Sequence, residues 1–164
     1  MRNTTHSKIV SGNRLARLVR FLKKQKKTIV FTNGCFDLIH AGHVRYLRKA
    51  RRLGDVLVLG LNTDASVRKL KGPSRPLVKL AHRAEVLAAL EPVDFIVPFS
   101  ESTPEALIHR VGPDILVKGA DYRTHEIAGA RFVQERGGRV VRIPMAQGLS
   151  TSKLIARMQG APLA

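Results

Sequence analysis

The stretch Thr28-Ile-Val-Phe-Thr-Asn-Gly-Cys-Phe-Asp-Leu-Ile-His-Ala-Gly-His43 contains the passage from a strand pattern to a helix pattern. Its first four residues, Thr28 to Phe31, are β-branched and apolar, which predicts a strand buried on both faces, as in a parallel sheet. Asn33-Gly34 then breaks the strand. Apolar residues recur at helical spacing from Val44 to Ala50, and Gly54 supplies a stop signal. A strand, a turn and a helix in this order indicate a β-α unit.

The same alternation continues along the rest of the chain. Short runs rich in Val, Ile and Leu predict strands near 28–35, 55–61, 93–98, 114–118 and 139–143. Helical spacing predicts helices near 14–24, 42–53, 79–90, 104–111, 126–136 and 151–158. We therefore predict an α/β fold, a Rossmann-like doubly wound five-stranded parallel sheet with flanking helices. Ligands of such sheets bind at the carboxyl ends of the strands, near the switch in strand order.

Length and composition fit one domain. The chain has 164 residues, of which 44% are hydrophobic, enough for a real core. We predict a flexible segment over 1–12 and a single domain over 13–164. One cysteine cannot form an internal disulfide, and no apolar run approaches a membrane span or a signal-peptide core. We therefore expect a cytoplasmic protein.

The charge of the chain is strongly positive. Lysine and arginine number 29 against 12 acidic residues, a formal charge of +17, which attracts polyanions without any specific site. The absence of tryptophan, the few aromatic residues and the lack of a recognised nucleic-acid-binding motif argue against a nucleic-acid partner. The charge suits a protein that handles phosphorylated small molecules.

His40 and His43 lie one helical turn apart, beside the predicted helix N-terminus near Gly42. Unpaired backbone N–H groups and the helix dipole favour an anion such as phosphate there, and two imidazoles add donors. Read alone, the pair is explained equally well as an anion site or as an incidental pair, with His40 in a loop and His43 on the helix surface. A metal site is the other alternative, but no nearby cysteine or third histidine completes a tetrahedral set, so we predict no metal ligand.

The segment Asn33-Gly-Cys-Phe-Asp-Leu-Ile-His-Ala-Gly-His43 resembles the signature of the cytidylyltransferase-like nucleotidyltransferases. These enzymes couple an NTP to a phosphorylated acceptor and release pyrophosphate. The resemblance covers roughly residues 13–158 and is greatest to the adenylyltransferase domains of bacterial ADP-heptose synthases. Further segments fall in the family's order and spacing, namely Leu61–Pro76, Arg83–Leu90, Val93–Phe95, Lys118–Tyr122 and Leu149–Ser152.

The resemblance implies a set of nucleotide-binding residues. Gly148-Leu-Ser-Thr-Ser152 opens a predicted helix with three hydroxyl residues, although a plain N-cap is the alternative. The family's usual form is Ser-Thr-Thr, so Ser152 departs from it but keeps the hydroxyl. After the fourth strand, Asp121 is a candidate reader of the base, with a strand-ending turn as the alternative. The expected nucleotide-binding residues are Thr32, Asn33, Gly34, Phe36, Gly42, Lys118, Gly119, Asp121, Ser150, Thr151 and Ser152.

A basic loop follows the second β-α unit, Lys71-Gly-Pro-Ser-Arg-Pro76, whose glycine and prolines exclude regular structure. With the resemblance, Lys71 is expected to act as a mobile point charge and Arg75 to grip an acceptor phosphate, with a solvated turn as the alternative. Arg83 either contacts acceptor or phosphate or lies exposed on the next helix. The expected catalytic residues are His40, His43 and Lys71, and the expected acceptor-binding residues are Asn62, Asp64, Arg75 and Arg83.

Several of these positions keep a second interpretation. Asn62 and Asp64 either touch the acceptor or cap the short helix that begins there. Asp37 either orients an imidazole or caps a turn. Cys35 is either a reactive thiol or, as we favour, a small residue that packs at the end of the strand.

The resemblance also implies a reaction. An oxygen of the acceptor phosphate attacks the α-phosphorus of ATP in line, without a covalent enzyme intermediate, and Mg²⁺ bridges the phosphates. The implied acceptor is a sugar 1-phosphate, D-glycero-β-D-manno-heptose 1-phosphate, which gives an ADP-sugar for the lipopolysaccharide core. A separate sugar kinase would supply it, and a homodimer is common among relatives. The alternatives are CTP as donor, glycerol 3-phosphate or FMN as acceptor, or a non-catalytic cationic protein that binds nucleotide or nucleic acid.

Overall fold

The computed structural model describes residues 5–120, 123, 126–144, 151, 154–155 and 160. A 3₁₀ helix at Thr5–Lys8 precedes the regular elements. The strands are β1 (Ile29–Gly34), β2 (Val56–Asn62), β3 (Phe95–Phe99), β4 (Ile115–Gly119) and β5 (Arg139–Ile143). The helices are α1 (Gly12–Lys24), α2 (Ala41–Arg51), α3 (Asp64–Lys71), α4 (Leu80–Ala89), α5 (Glu105–Val111) and α6 (Ala130–Glu135).

The five strands form one parallel sheet in the order β3-β2-β1-β4-β5. The order reverses at β1, so a crevice opens between β1 and β4 at their carboxyl ends. The predicted fold class is confirmed, and the strands lie within two residues of their predicted bounds. The helix predicted at 126–136 is shorter than expected, and most of the helix predicted at 151–158 lies outside the described residues.

Both faces of the sheet are buried, because alternate residues of each strand enter different cores. In β2, Val56 and Val58 pack with α1, α5 and α6, whereas Leu57 and Leu59 pack with α2 and α4. Full burial of each such aliphatic side chain contributes about 1.5–3 kcal/mol. This packing holds the carboxyl ends of the strands, where the turns that matter for function begin.

Three aspartates fix the amino ends of the strands, opposite the carboxyl ends where the cleft would lie. Each stands one residue before a strand and accepts a hydrogen bond from a backbone N–H at the start of the neighbouring strand. The bonds run from Thr28 N to Asp55 Oδ2 (2.8 Å), from Leu57 N to Asp94 Oδ2 (2.7 Å) and from Ile29 N to Asp114 Oδ2 (2.7 Å). The aspartates thereby satisfy backbone donors that the ladder leaves unpaired.

Residues 9 and 10 lie within the segment 1–12 that the sequence predicts to be flexible, but they are held against the sheet. Ile9 forms a parallel bridge with Ile96 of β3, and the Val10 N–H donates to the Ile96 carbonyl at 2.8 Å. Val10 is only 3% exposed. The physical reason is that β3 is an edge strand with unpaired backbone groups, which an apolar Ile-Val pair covers.

Within the described residues, no helix is both long enough and apolar enough to cross a membrane.

Candidate active site

A cleft of about 470 Å³ opens at the carboxyl ends of the central strands. Its volume lies in the range of small-molecule sites, and its place beside the strand-order switch is the one predicted from the sequence. Ten of the predicted site residues line it: Asn33, Gly34, Phe36, His43, Asn62, Lys71, Arg75, Lys118, Gly119 and Thr151.

The turn after β1 shapes one wall of the cleft. Phe36 has a φ of +45°, which is uncommon for a bulky residue, and its side chain is 7% exposed. A Cβ at Gly34 would lie 2.9 Å from Phe36 Cε2, so only glycine lets the ring lie there. The Phe36 and His43 ring centroids are 5.1 Å apart. The turn thus packs an aromatic ring against the histidine that faces the cleft.

The two histidines stack on each other. Their ring centroids are 3.9 Å apart with 26° between the planes, and His40 supports His43 without lining the cleft itself. His40 is the N-cap residue of α2 but makes no side-chain cap bond. The Nδ1 atom of each ring is buried without a partner in the described part of the chain. Such an unpaired polar atom costs about 1–3 kcal/mol, which is a signal of function.

The histidine pair is uncharged in the free protein. Burial, and then the neighbouring His40, lower the pKa of His43 to about 4. Burial also lowers the pKa of His40. At neutral pH each imidazole therefore offers one N–H donor and one acceptor. An anion bound beside the rings would favour the protonated form, since opposite charge raises a histidine pKa.

Asp37 organises the basic loop after α3. It is 3% exposed, and its carboxylate accepts bonds from Arg75 Nε at 2.6 Å and from the Leu77 and Val78 N–H groups at 2.9 Å each. Burial tends to raise the pKa of Asp37, but the two backbone N–H groups and Arg75 outweigh it and hold the pKa below its ordinary value. Of its two predicted roles, Asp37 therefore caps a turn, and none of its hydrogen bonds within the described residues joins it to an imidazole.

Arg83 matches neither of its two predicted positions. It is 1% exposed, does not line the cleft, and donates to the carbonyl groups of Cys35, Asn62 and Val78 and to the Asp64 carboxylate. The expectation of acceptor contact is thus corrected, because these three carbonyl groups and the carboxylate accept four of the five guanidinium N–H donors. Asp64 also accepts from the Leu80 N–H at 2.9 Å, so it links α3 to α4 outside the cleft.

Two predicted nucleotide-binding residues also lie away from the cleft. Thr32 is fully buried, and its hydroxyl shares a 2.7 Å hydrogen bond with the Tyr46 hydroxyl. The reason is strand alternation, which turns Thr32 towards α2. Gly42 is buried in the first turn of α2.

The far side of the cleft carries Lys118 and Gly119 at the end of β4. Thr151 also lines it, and its hydroxyl donates to the Leu38 carbonyl at 3.3 Å. This bond brings Thr151 to the turn after β1. The predicted site residues Asp121, Ser150 and Ser152 lie outside the described residues.

Six described lining residues stand outside the predicted site sets. Cys35 and Asp37 were considered for other roles, whereas four were missed, namely Tyr46, Leu70, Ser102 and Pro104. Tyr46 follows His43 by three residues, so helical spacing would have placed it on the same face. Ser102 and Pro104 follow β3, and the rule that ligands bind at strand carboxyl ends would have found them.

The cleft has little to hold a metal ion by protein atoms alone. In the described ranges, no group of three or more His, Cys, Asp or Glu side chains is placed to bind a metal. Asp37 is the one acidic residue among the described lining residues, and both of its oxygens already accept hydrogen bonds. Cys35 also lines the cleft, where burial raises the pKa of its thiol despite nearby cations, which fits the packing role.

The geometry agrees with what comparison with known proteins finds. The Cytidylyltransferase-like family model matches residues 31–157. The chain belongs to the cytidylyltransferase-like family. The match begins in β1 and includes every described lining residue of the cleft.

Curated relatives of the family extend the match. The chain is 53% identical over 152 residues to the "Bifunctional protein HldE" of Syntrophotalea carbinolica, covering 93% of this chain and 31% of the relative. It is 57% identical over 134 residues to the protein of that name from Magnetococcus marinus, covering 82% and 28%. The chain thus spans about a third of the length of these relatives.

Solved structures of similar fold agree. A lipopolysaccharide core biosynthesis protein from Thermoplasma volcanium superposes with a TM-score of 0.62 at 27% identity, covering 74% of this chain and 99% of that one. A pantoate-beta-alanine ligase from Francisella tularensis, complexed with β,γ-ATP and β-alanine, gives a TM-score of 0.59 at 15% identity, covering 95% and 70%. The second likeness shows the shared fold alone.

Proposed function

We propose that this chain is an adenylyltransferase that joins ATP and a sugar 1-phosphate to give an ADP-sugar and pyrophosphate. The observation that carries the proposal is the stacked, uncharged pair His40 and His43 beside a cleft lined by three cations, Lys71, Arg75 and Lys118. Hydrogen-bond donors and positive charge around one cavity suit transfer between phosphates, where catalysis is mostly position and electrostatics.

The reaction needs no covalent enzyme intermediate. An oxygen of the acceptor phosphate forms a bond to the α-phosphorus of ATP, and the bond from that phosphorus to the oxygen bridging the α- and β-phosphates breaks. The bonding electrons leave with pyrophosphate. No proton transfer at the acceptor is required, because its phosphate is already anionic at neutral pH.

His43 is the donor nearest to the transferring phosphate in this proposal. A neutral imidazole places its N–H without repelling a cation at Lys71, and the negative charge of a bound phosphate favours the protonated form of the ring. His40 stacks on His43 and fixes its ring. The pair therefore stabilises the transition state by hydrogen bonding, with added charge only when the anion is bound.

The cations divide between the two substrates. Lys71 ends α3 at the mouth of the cleft and neutralises the phosphates, while Arg75, held by Asp37, offers its terminal nitrogens to the acceptor phosphate. Lys118, Gly119 and Thr151 line the opposite part, where the nucleotide would lie. We keep Asp121, Ser150 and Ser152 as nucleotide-binding predictions.

Mg²⁺ is the expected cofactor, and the donor set fits an ion held by the phosphates. The cleft's described carboxylate is already occupied, so the nucleotide itself and water would supply the ligands, as Mg²⁺ often accepts. The ion would neutralise phosphate charge when bound.

The acceptor we propose is D-glycero-β-D-manno-heptose 1-phosphate. The resemblance to ADP-heptose synthase domains, the HldE relatives and the similar lipopolysaccharide core biosynthesis protein support it. A separate sugar kinase, a homodimer and a cytosolic location stay predictions that accompany this proposal.

The decisive experiment follows pyrophosphate release by the purified chain with Mg²⁺. ATP with heptose 1-phosphate is expected to give the highest kcat/KM, and CTP, glycerol 3-phosphate and FMN are the competing substrates. Preference for another pair would keep the reaction class and change the substrate. No release with any pair would favour a non-catalytic nucleotide-binding protein.

A further inference from the structure

Three neutral polar side chains line the part of the cleft nearest to β2 and β3. Asn33 is the penultimate residue of β1, Asn62 ends β2, and Ser102 follows β3. Lys118 lies towards the other side of β1, because it belongs to β4, the neighbour of β1 there, and the Thr151 hydroxyl donates to the Leu38 carbonyl in the turn after β1. A nucleotide held by Lys118 and Thr151 therefore leaves the three neutral side chains for the acceptor.

The Asn33 carboxamide has no hydrogen bond to any described residue, and its Oδ1 is buried. The sheet makes room for it, because β2 carries a glycine at the paired position, Gly60. A Cβ at Gly60 would lie 3.0 Å from Asn33 Cβ, 2.9 Å from Phe31 Cζ and 3.2 Å from Leu107 Cδ2. A polar group kept buried and unpaired at a strand end calls for a ligand.

The chemistry of the Asn33 carboxamide limits which chemical group of a ligand can pair with it. Its oxygen only accepts hydrogen bonds, and a phosphate at neutral pH is also an acceptor, so a phosphate leaves the oxygen unsatisfied. A hydroxyl group donates to the oxygen and accepts from the neighbouring nitrogen. This match holds for either orientation of the amide, which matters because the two orientations look alike.

Asn62 supports the same subsite. Its Nδ2 donates to Ser66 Oγ at 2.8 Å, and Ser66 Oγ donates to the Glu101 carbonyl at 3.2 Å. The chain of two bonds ties the end of β2 to the loop that carries Ser102. The Oδ1 of Asn62 has no partner in the described part of the chain.

We propose that Asn33, with Asn62 and Ser102, forms a subsite that recognises hydroxyl groups of the acceptor. The acceptor class is then a polyhydroxylated phosphate. Asn33, which the resemblance places among the nucleotide-binding residues, is in this proposal a specificity-determining residue for the acceptor instead. This inference rests on the proposed function and deepens it.

The test replaces Asn33 by the isosteric leucine and uses Asn13→Leu, at an exposed position of α1, as the matched control. Pyrophosphate release is measured with ATP, with heptose 1-phosphate and with its monodeoxy analogues. For Asn33→Leu, kcat/KM for heptose 1-phosphate is expected to fall about tenfold or more, with the KM for ATP within about twofold of wild type. The melting temperature is expected to stay equal or rise, since an unpaired buried group is removed.

The analogues separate recognition from damage. Wild type is expected to discriminate against one monodeoxy analogue by about tenfold, and Asn33→Leu to lose that discrimination, as in a double-mutant cycle. Unchanged discrimination, a rise in the KM for ATP alone, or a fall in melting temperature that accounts for the lost activity would each overturn the subsite.

Failure of the proposed function is recognised separately. If wild type releases no pyrophosphate with any substrate pair, calorimetric binding of heptose 1-phosphate still tests the subsite. Weaker binding to Asn33→Leu than to wild type supports it. Equal binding, or no binding to either protein, overturns it.

Discussion

The histidine pair and Arg83 both bury polar groups at the carboxyl ends of the central strands, but they differ in what satisfies those groups. Arg83 is surrounded by carbonyl and carboxylate oxygens that accept its donors. His40 and His43 each keep a buried nitrogen without a partner in the described part of the chain. The difference teaches that a satisfied polar group builds the scaffold, whereas an unsatisfied one marks a position whose partner the scaffold does not supply.

Replacement of Arg83 by methionine should have the largest effect, and it should be on stability. It leaves carbonyl groups at the ends of β1 and β2 without donors and Asp64 without its cation, at a cost of about 3–5 kcal/mol in the free energy of unfolding. Urea denaturation measures this cost. Arg131→Met, at an exposed ion pair with Glu135, is the control and should unfold like wild type. Wild-type stability of Arg83→Met would break the comparison.

Replacement of His43 by alanine should affect turnover and spare the fold. Loss of one preorganised donor to a transition state costs about 10²–10³-fold in kcat. The exposed His82 of α4 gives the control variant His82→Ala, which should keep wild-type kcat. Pyrophosphate release and thermal melting are measured together. A near wild-type rate for His43→Ala would contradict the proposed role of the pair.

Arg83 and the histidine pair also differ in how far the sequence predicts their roles. Strand bounds, strand direction and the position of the cleft follow from local patterns and from the rule on strand carboxyl ends. The role of Arg83 does not, because its acceptor Cys35 is 48 residues away in sequence. Asp37 and Arg75 likewise meet across 38 residues. No local pattern encodes such pairs, and Thr32 was misassigned because the burial of its hydroxyl against Tyr46 is a tertiary contact.

Asp37→Asn tests a residue that belongs to both groups. Asp37 satisfies backbone N–H groups of the scaffold, and it also holds Arg75, which lines the cleft. Loss of the charge-assisted bonds should cost about 1–3 kcal/mol and raise the KM of the acceptor through a looser Arg75. Because the pKa of Asp37 is lowered, its stabilisation is present above the ordinary value of 3.8 and lost as pH falls through the lowered pKa. The free energies of unfolding of wild type and Asp37→Asn should therefore converge at low pH. Urea denaturation at several pH values measures this, with Glu85→Gln at an exposed position as control.

At neutral pH the smallest expected effect is that of histidine titration, because the folded and the unfolded His43 are then both mostly neutral. With the pKa of His43 at about 4, kcat/KM should show no inflection near 6.5 from this residue. An unfolded histidine takes up its proton near 6.5 and the folded His43 near 4, so stability should fall as pH drops between these values. His43→Ala should flatten that slope. An NMR titration that places His43 near 6.5 would show that the pair is not desolvated.

The aspartates that precede β2, β3 and β4 have a consequence for how this fold changes. Their bonds to Thr28, Leu57 and Ile29 align the strands at their amino ends, away from the cleft. The alignment of the strands at their amino ends therefore does not depend on the loops at their carboxyl ends. Those loops can be exchanged, in evolution or by engineering, as long as the Cys35 and Val78 carbonyl groups that accept from Arg83 are kept, and the same sheet can then be fitted to a new acceptor.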